Sequence, residues 1–268
     1  MTPAPTPSAP SPLATLRATA KGYAPRVFQA RGWAVAALVM VPVALSLLVY
    51  TVAHIKGAEG RPYPGEALKV FHEVLVKMML PIMALVAAPA GIREDLEQRT
   101  LPLLLVRPAA VWAYPMGKGL PWFLWGAAWL VLGALGLQII GGDPALLLGR
   151  IAALVGAWWG ELALMTLVGL LFKRGTLWGA LYFFLWEPFV RIFPPFLQRL
   201  TFTHYIESLA GSRAAEIQTN QLLAQEQVTT HPALALLILL VFGALCWALA
   251  GWKLHRTPIG LAGSEAEG

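Results

Sequence analysis

Six apolar runs divide this sequence, at 33–53, 70–90, 121–140, 151–172, 175–193 and 233–252. Each is near the roughly 20 residues that an α-helix needs to cross the hydrocarbon core of a bilayer. None alternates with the period of two expected of barrel strands, so helices are left as the way to satisfy backbone groups in lipid. The second run is the least uniform, because Glu66, Lys69, His72, Glu73 and Lys77 precede or enter it. The breaks between runs carry helix-boundary chemistry. Asp143 can cap a helix after Gly141-Gly142, and Pro144 suits its first turn. Thr230-His231-Pro232 does the same before the last run. The pattern predicts an all-α, polytopic membrane protein with six transmembrane helices.

Composition strengthens this reading. The 268 residues are 57% apolar and 13% charged, whereas a soluble domain carries about 25% charged residues. Mean hydropathy is +0.63. The net charge of +6 then reports orientation in a membrane rather than nucleic-acid binding. With the N-terminus placed in the cytoplasm, inside segments hold Arg17, Lys21, Arg26, Arg31, Arg93, Arg99, Arg107, Lys118, Lys173, Arg174, Lys253 and Arg256. Outside segments hold Lys56, Arg61, Lys69, Arg150, Arg199 and Arg213. This excess predicts a multi-pass protein of the plasma (inner) membrane with both termini cytoplasmic.

Residues 1–12 are rich in Pro, Thr, Ser and Ala and read as a disordered tail. They lack the layout of a signal peptide, so the first span is expected to act as an uncleaved anchor. A single six-span domain is expected over 13–256, with a second tail over 257–268. Within it, 13–31 mixes basic and apolar residues like a helix lying on the inner leaflet. The longest outside segment, 194–231, is partly apolar, and its stretch 214–228 is polar and helix-friendly.

The inside segment 91–118, GIREDLEQRTLPLLLVRPAAVWAYPMGK, is the long charge-dense stretch between spans. Asp95 and Glu97 form an acidic lip. Thr100 can cap a short helix that begins at Leu101, where Pro102 is tolerated in the first turn. Leu101, Leu103, Leu104, Leu105 and Val106 give it an apolar surface, and Arg107-Pro108 ends it. Such an element can dock into a groove on a soluble partner and move the spans attached to it.

This segment resembles the cytoplasmic coupling region of ABC-2-type transporter permeases. Their pattern is similar to Glu-x-Glu-x-Gly-Thr-Leu-x-x-Leu-Leu-x-x-Pro, followed by Gly-Lys. Asp95, Glu97, Thr100, Leu101, Leu104, Leu105, Pro108 and Gly117-Lys118 match it. Arg99 replaces the Gly, and Val111 stands where a basic residue is common. Lys173-Arg174, Gly179 and the YFFLWE of 182–187 resemble a subgroup of the same permeases. The resemblance implies a six-span fold with a cytoplasmic coupling helix. It also implies an ABC ATPase subunit as partner, a second or related permease copy as dimer mate, and ATP held by the partner rather than by this chain. Asp95, Glu97, Arg99, Thr100, Leu101, Leu104, Leu105, Arg107 and Pro108 would then meet the ATPase.

Ionisable residues at membrane depth are the other candidates. Glu187 and Arg191 are four apart, as are Glu73 and Lys77, so each pair shares a helix face and can form a local ion pair. Glu161 is the loneliest charge, deep in the fourth run, with Thr166 within possible reach. Trp33, Trp112, Trp122, Trp178 and Trp252 lie near run ends, as an aromatic belt requires. Trp158, Trp159 and Trp186 read as core.

No Gly-rich loop ends in Gly-Lys-Ser/Thr, so no nucleotide-binding motif of that kind is present. The five histidines are scattered and the lone Cys246 sits in an apolar run, which argues against a metal site. The chain is therefore expected to be an exporter's membrane subunit and not an enzyme. The alternatives are an integral membrane enzyme acting on lipid, built on His204, Glu207 and Glu187, and a non-transporting membrane scaffold or sensor.

Overall fold

A computed structural model describes residues 11–55, 70–88, 95, 110–139, 144–190, 195–210 and 230–256, with no strand among them. Helix α1 is Pro12–Tyr23 and α2 is Ala30–Ile55. Helix α3 covers 70–87, as a π stretch Val70–Met79 followed by α-helix Leu80–Ala87. Helices α4 (Tyr114–Ile139) and α5 (Leu147–Leu171) come next. Helix α6 covers 175–190, with a π turn Tyr182–Trp186 between α-helical ends. The short α7 (Pro195–Gln198) and α8 (Phe202–Ala210) precede α9 (Pro232–Arg256).

Four helical stretches are long and apolar enough to cross a membrane: Ala30–Val52, Tyr114–Ile139, Pro144–Leu171 and Pro232–Arg256. This is the make-up of a multi-pass membrane protein. The second and fifth expected spans come out shorter. In α3 the apolar helix is Val74–Ala87, roughly 21 Å long at ~1.5 Å per residue. The described part of α6 is roughly 24 Å long on the same scale, and Glu187 lies in its α-helical end Glu187–Val190. Both carry a π stretch that ends two residues before a proline, Pro81 or Pro188. A proline lacks the N–H for the carbonyl four residues back and its ring pushes that carbonyl away. The widened turn ahead of each proline accommodates this.

Helix α5 is the hub. It packs against α9, α4, α8, α6 and α3. Its apolar window is 67% buried, against 29%, 39% and 33% in the other three long helices. Glycine notches let these helices close on tryptophans. A Cβ at Gly126 of α4 would lie 2.6 Å from the Trp158 ring of α5, whose Nε1 donates to the Phe123 carbonyl at 3.0 Å. Trp159 fills the matching notch at Gly243 of α9. Small residues of this kind permit close helix approach where no hydrophobic force drives it. Gly126→Ala should therefore destabilise the α4–α5 contact by about 1–3 kcal/mol, because the fully buried Trp158 has nowhere to move. Thermal unfolding in detergent checks this, with exposed Gly22→Ala as control.

The aromatic expectations divide. Trp33, Trp112, Trp178 and Trp252 are exposed, as a belt demands, but Trp122 is buried and Trp186 is exposed. Trp122, about two turns into α4, faces inward and joins the core cluster.

Candidate functional site

One carboxylate joins three parts of the chain. Asp95, from the acidic lip, is 1% exposed. Its Oδ2 accepts the Tyr23 hydroxyl at 2.8 Å, the Tyr114 hydroxyl at 2.5 Å and the Lys118 ammonium. Arg26 stands 4.0 Å from Oδ1 with its side chain half-exposed. The two hydroxyls also lie 2.7 Å apart. With one proton each, they divide two donations among three contacts. The Lys118 Nζ sits 4.4 Å from the Tyr23 ring centroid, a cation–π contact that adds to the ion pair.

Local structure explains the convergence. Tyr114 and Lys118 are four apart in the first turns of α4 and so share a face. Tyr23 is the last residue of α1, and Arg26 lies in the 3-10 turn Ala24–Phe28 that follows. Helix α1 starts at a Ser11 cap, whose Oγ accepts the Ala14 N–H at 3.2 Å. It then lies on α4 at Gly117, where a Cβ would meet Thr19 and the Leu16 backbone at 2.9–3.3 Å. Thr15 is buried and its Oγ1 accepts the Ala110 N–H at 3.2 Å. The basic N-terminal helix is thus packed onto α4 rather than running on to residue 31.

Burial would raise the Asp95 pKa, but hydrogen bonds from Lys118, Tyr114 and Tyr23 and the Lys118 charge outweigh it and hold it below the ordinary 3.8. Burial also pushes Tyr23 up from 10.0 to about 12, opposed by its bond to Tyr114 and aided by Asp95. A depressed acid contributes stability that is lost only as pH falls through its folded pKa. A raised phenol contributes stability that is complete below pH 10 and fades as pH rises to about 12. The melting-temperature advantage of the parent over Tyr23→Phe should therefore shrink across that alkaline window and hold steady between pH 5 and 9, about the range between the two groups' ordinary values. An advantage that stays constant up to pH 12 would remove Tyr23 from the node.

No family model matches this chain, and no curated protein matches it. Its reading rests on its own residues.

Of the motif, Asp95 and Lys118 come together. Glu97, Arg99, Thr100, Leu101, Leu104, Leu105, Arg107 and Pro108 lie outside the described residues. Asp95 of the acidic lip is buried, because two tyrosines and a lysine bond its Oδ2. Sequence reasoning passed over Tyr23 and Tyr114. The available signal was the Tyr114–Lys118 spacing on one helix face next to a nearby acid.

The intramembrane candidates fare differently. Arg191 lies outside the described residues, and so does the side chain of Glu73, so neither expected pair is described. Lys77 is partly buried in the π stretch of α3. Glu187 is buried, and its carboxylate accepts the Phe202 N–H at 3.0 Å and the Thr203 hydroxyl at 2.5 Å. It holds α6 to the N-terminal end of α8, where a negative charge is favoured. Glu161 is 2% exposed, and its Oε2 has no hydrogen-bond partner among the described residues. Thr166 does not reach it, since that hydroxyl donates to the Leu162 carbonyl at 2.8 Å. His204 meets the Thr230 hydroxyl at 2.8 Å through Nε2. Among the described residues no cluster of His, Cys, Asp and Glu suits a metal ion.

Proposed function

We propose that this chain is the membrane subunit of an ABC-2-type exporter. It would work with a separate ATPase subunit and a second or related permease copy. The observation that carries this reading is the Asp95–Lys118 pair. It ties the acidic start of the motif to its closing Gly-Lys, two positions that are 23 residues apart. A buried charge-assisted contact of this kind fixes geometry and breaks at high cost. Force received by 96–108 would pass through Asp95 to two places at once, the first turns of α4 and the end of α1.

In this reading six spans cross the plasma membrane, with α3 and α6 as the shorter ones, and both termini are cytoplasmic. ATP-driven closure of the partner would shift α4 against α2 and α5 and alternate access to the path. This chain supplies the path and the partner supplies hydrolysis. Co-expression with the candidate ATPase and purification through a tag on this chain test the reading. The ATPase should co-purify in stoichiometric amount, and the complex should hydrolyse ATP in proteoliposomes. Its absence from the purified material would reject the proposal.

A further inference from the structure

Glu161 stands near the middle of α5, the helix on which five others pack, and the Asp95 node makes no use of it. Its side chain is buried, and Oε2 is left without a hydrogen-bond partner among the described residues. A second carboxylate lies close by. Gly160, beside Glu161, receives the Phe202 ring of α8, which a Cβ there would approach to 2.7 Å. The Phe202 N–H is the donor that Glu187 of α6 holds at 3.0 Å, and the charge of Glu187 acts on Glu161. Tyr182, in the π turn of α6, lies in the field of both carboxyl groups.

The two acids are unequal. Glu187 accepts the Phe202 N–H and the Thr203 hydroxyl at the start of α8, and donors of that kind favour the charged form. Glu161 lacks such support, and among the described residues no cation pairs with it. The other buried or half-buried ionisable groups described on the packed helices are Lys77 of α3, Tyr114 and Lys118 of α4, His204, Tyr205 and Glu207 of α8, and Cys246 and Lys253 of α9. Of these, Tyr114 and Lys118 are bonded to Asp95, and His204 to Thr230. A buried carboxylate ion without donor or counter-ion, next to a second carboxylate, is a form that proteins avoid by keeping the acid neutral.

We propose that Glu161 is a proton-binding site, and that its bound proton latches α5 against α6 and α8. With the proton in place the pair bears a single negative charge, which Glu187 carries. Transfer of the proton from Glu161 to water leaves two carboxylates, and their repulsion drives α6 and the start of α8 away from α5. A proton needs no cavity, so the closed packing around Oε2 suits it. A metal ion is a poorer occupant, since the described residues offer no cluster of ligands for one. The latch stands apart from the exporter reading and does not rest on it.

The test is infrared spectroscopy of the full chain in lipid nanodiscs at neutral pH, before and after transfer to deuterated buffer. The parent should show the carbonyl stretch of a protonated carboxylic acid, which Glu161→Gln removes and Glu187→Gln keeps. Glutamine matches the neutral acid in size, so Glu161→Gln should melt as the parent does. The shift of the band on deuteration should be about tenfold faster in Thr203→Ala, where Glu187 loses a hydrogen bond to α8 and the contact opens more often. A parent spectrum without a protonated acid would overturn the proposal, whatever the variants do. So would a band that survives in folded Glu161→Gln. An exchange rate unchanged in Thr203→Ala would overturn the latch, because the proton would then be indifferent to the contact with α8.

Discussion

Lys118→Met is expected to lower the unfolding free energy by about 3–5 kcal/mol, the effect of stranding a buried charge without its partner. Asp95 then keeps two hydroxyl donors but loses the ammonium that balances its charge at 1% exposure. Asp95→Asn alone should cost a similar amount, because it takes the carboxylate charge away from the buried Lys118 ammonium. The double change Asp95→Asn/Lys118→Met should cost less than the sum of the two, since residues in one network couple. Urea or thermal unfolding in detergent measures the cycle. Strict additivity would mean that the two groups do not act as a unit. Limited proteolysis adds a local readout: in Asp95→Asn the N-terminal helix should be cut sooner, because Tyr23 loses its charged acceptor.

The second large effect concerns the leucines of the proposed coupling segment. Leu104→Asp/Leu105→Asp should leave membrane insertion intact, because neither residue lies in an expected span. It should abolish co-purification of the ATPase. Exposed leucines are stabilised by burial at about 25 cal/mol per Å² of apolar surface, and two aspartates reverse that contribution at a protein groove. Lys173-Arg174 forms only a two-residue turn between α5 and α6. Helix α1 has its buried face committed to α4. Neither offers a comparable docking surface. An inserted double variant that still binds and stimulates its ATPase would remove the coupling assignment while leaving the Asp95 node in place.

Much of the architecture was legible because it depends on composition over long windows. Runs such as 233–252 carry no charge, and a helix is the form such a run takes in lipid. The boundary proline at 232 also sits where helix-start chemistry puts it, at the first residue of α9. The lengths of α3 and α6 were less legible. Pro81 and Pro188 act through a carbonyl four residues back, so their effect shows as a local π stretch and not as a break in hydropathy. The site was readable in part. Asp95 and Lys118 were marked by their motif, but their partnership with Tyr23 spans 72 residues from Tyr23 to Asp95. A long-range contact of that kind has no periodic signature. Glu187 illustrates the same limit. Spacing marks Arg191, which lies outside the described residues, and carries no sign of Phe202 and Thr203 of another helix, which the carboxylate reaches.

The central claim is that segment 91–118 works against a separate ATPase. A photoreactive residue placed at position 104 and activated in cells tests it most directly, with the cross-linked product identified by mass spectrometry. The account predicts a single major adduct to a soluble subunit bearing a nucleotide-binding motif, lost when position 104 is moved to exposed Leu13 on α1. Adducts confined to lipid, with position 104 reachable from the cytoplasm, would contradict it.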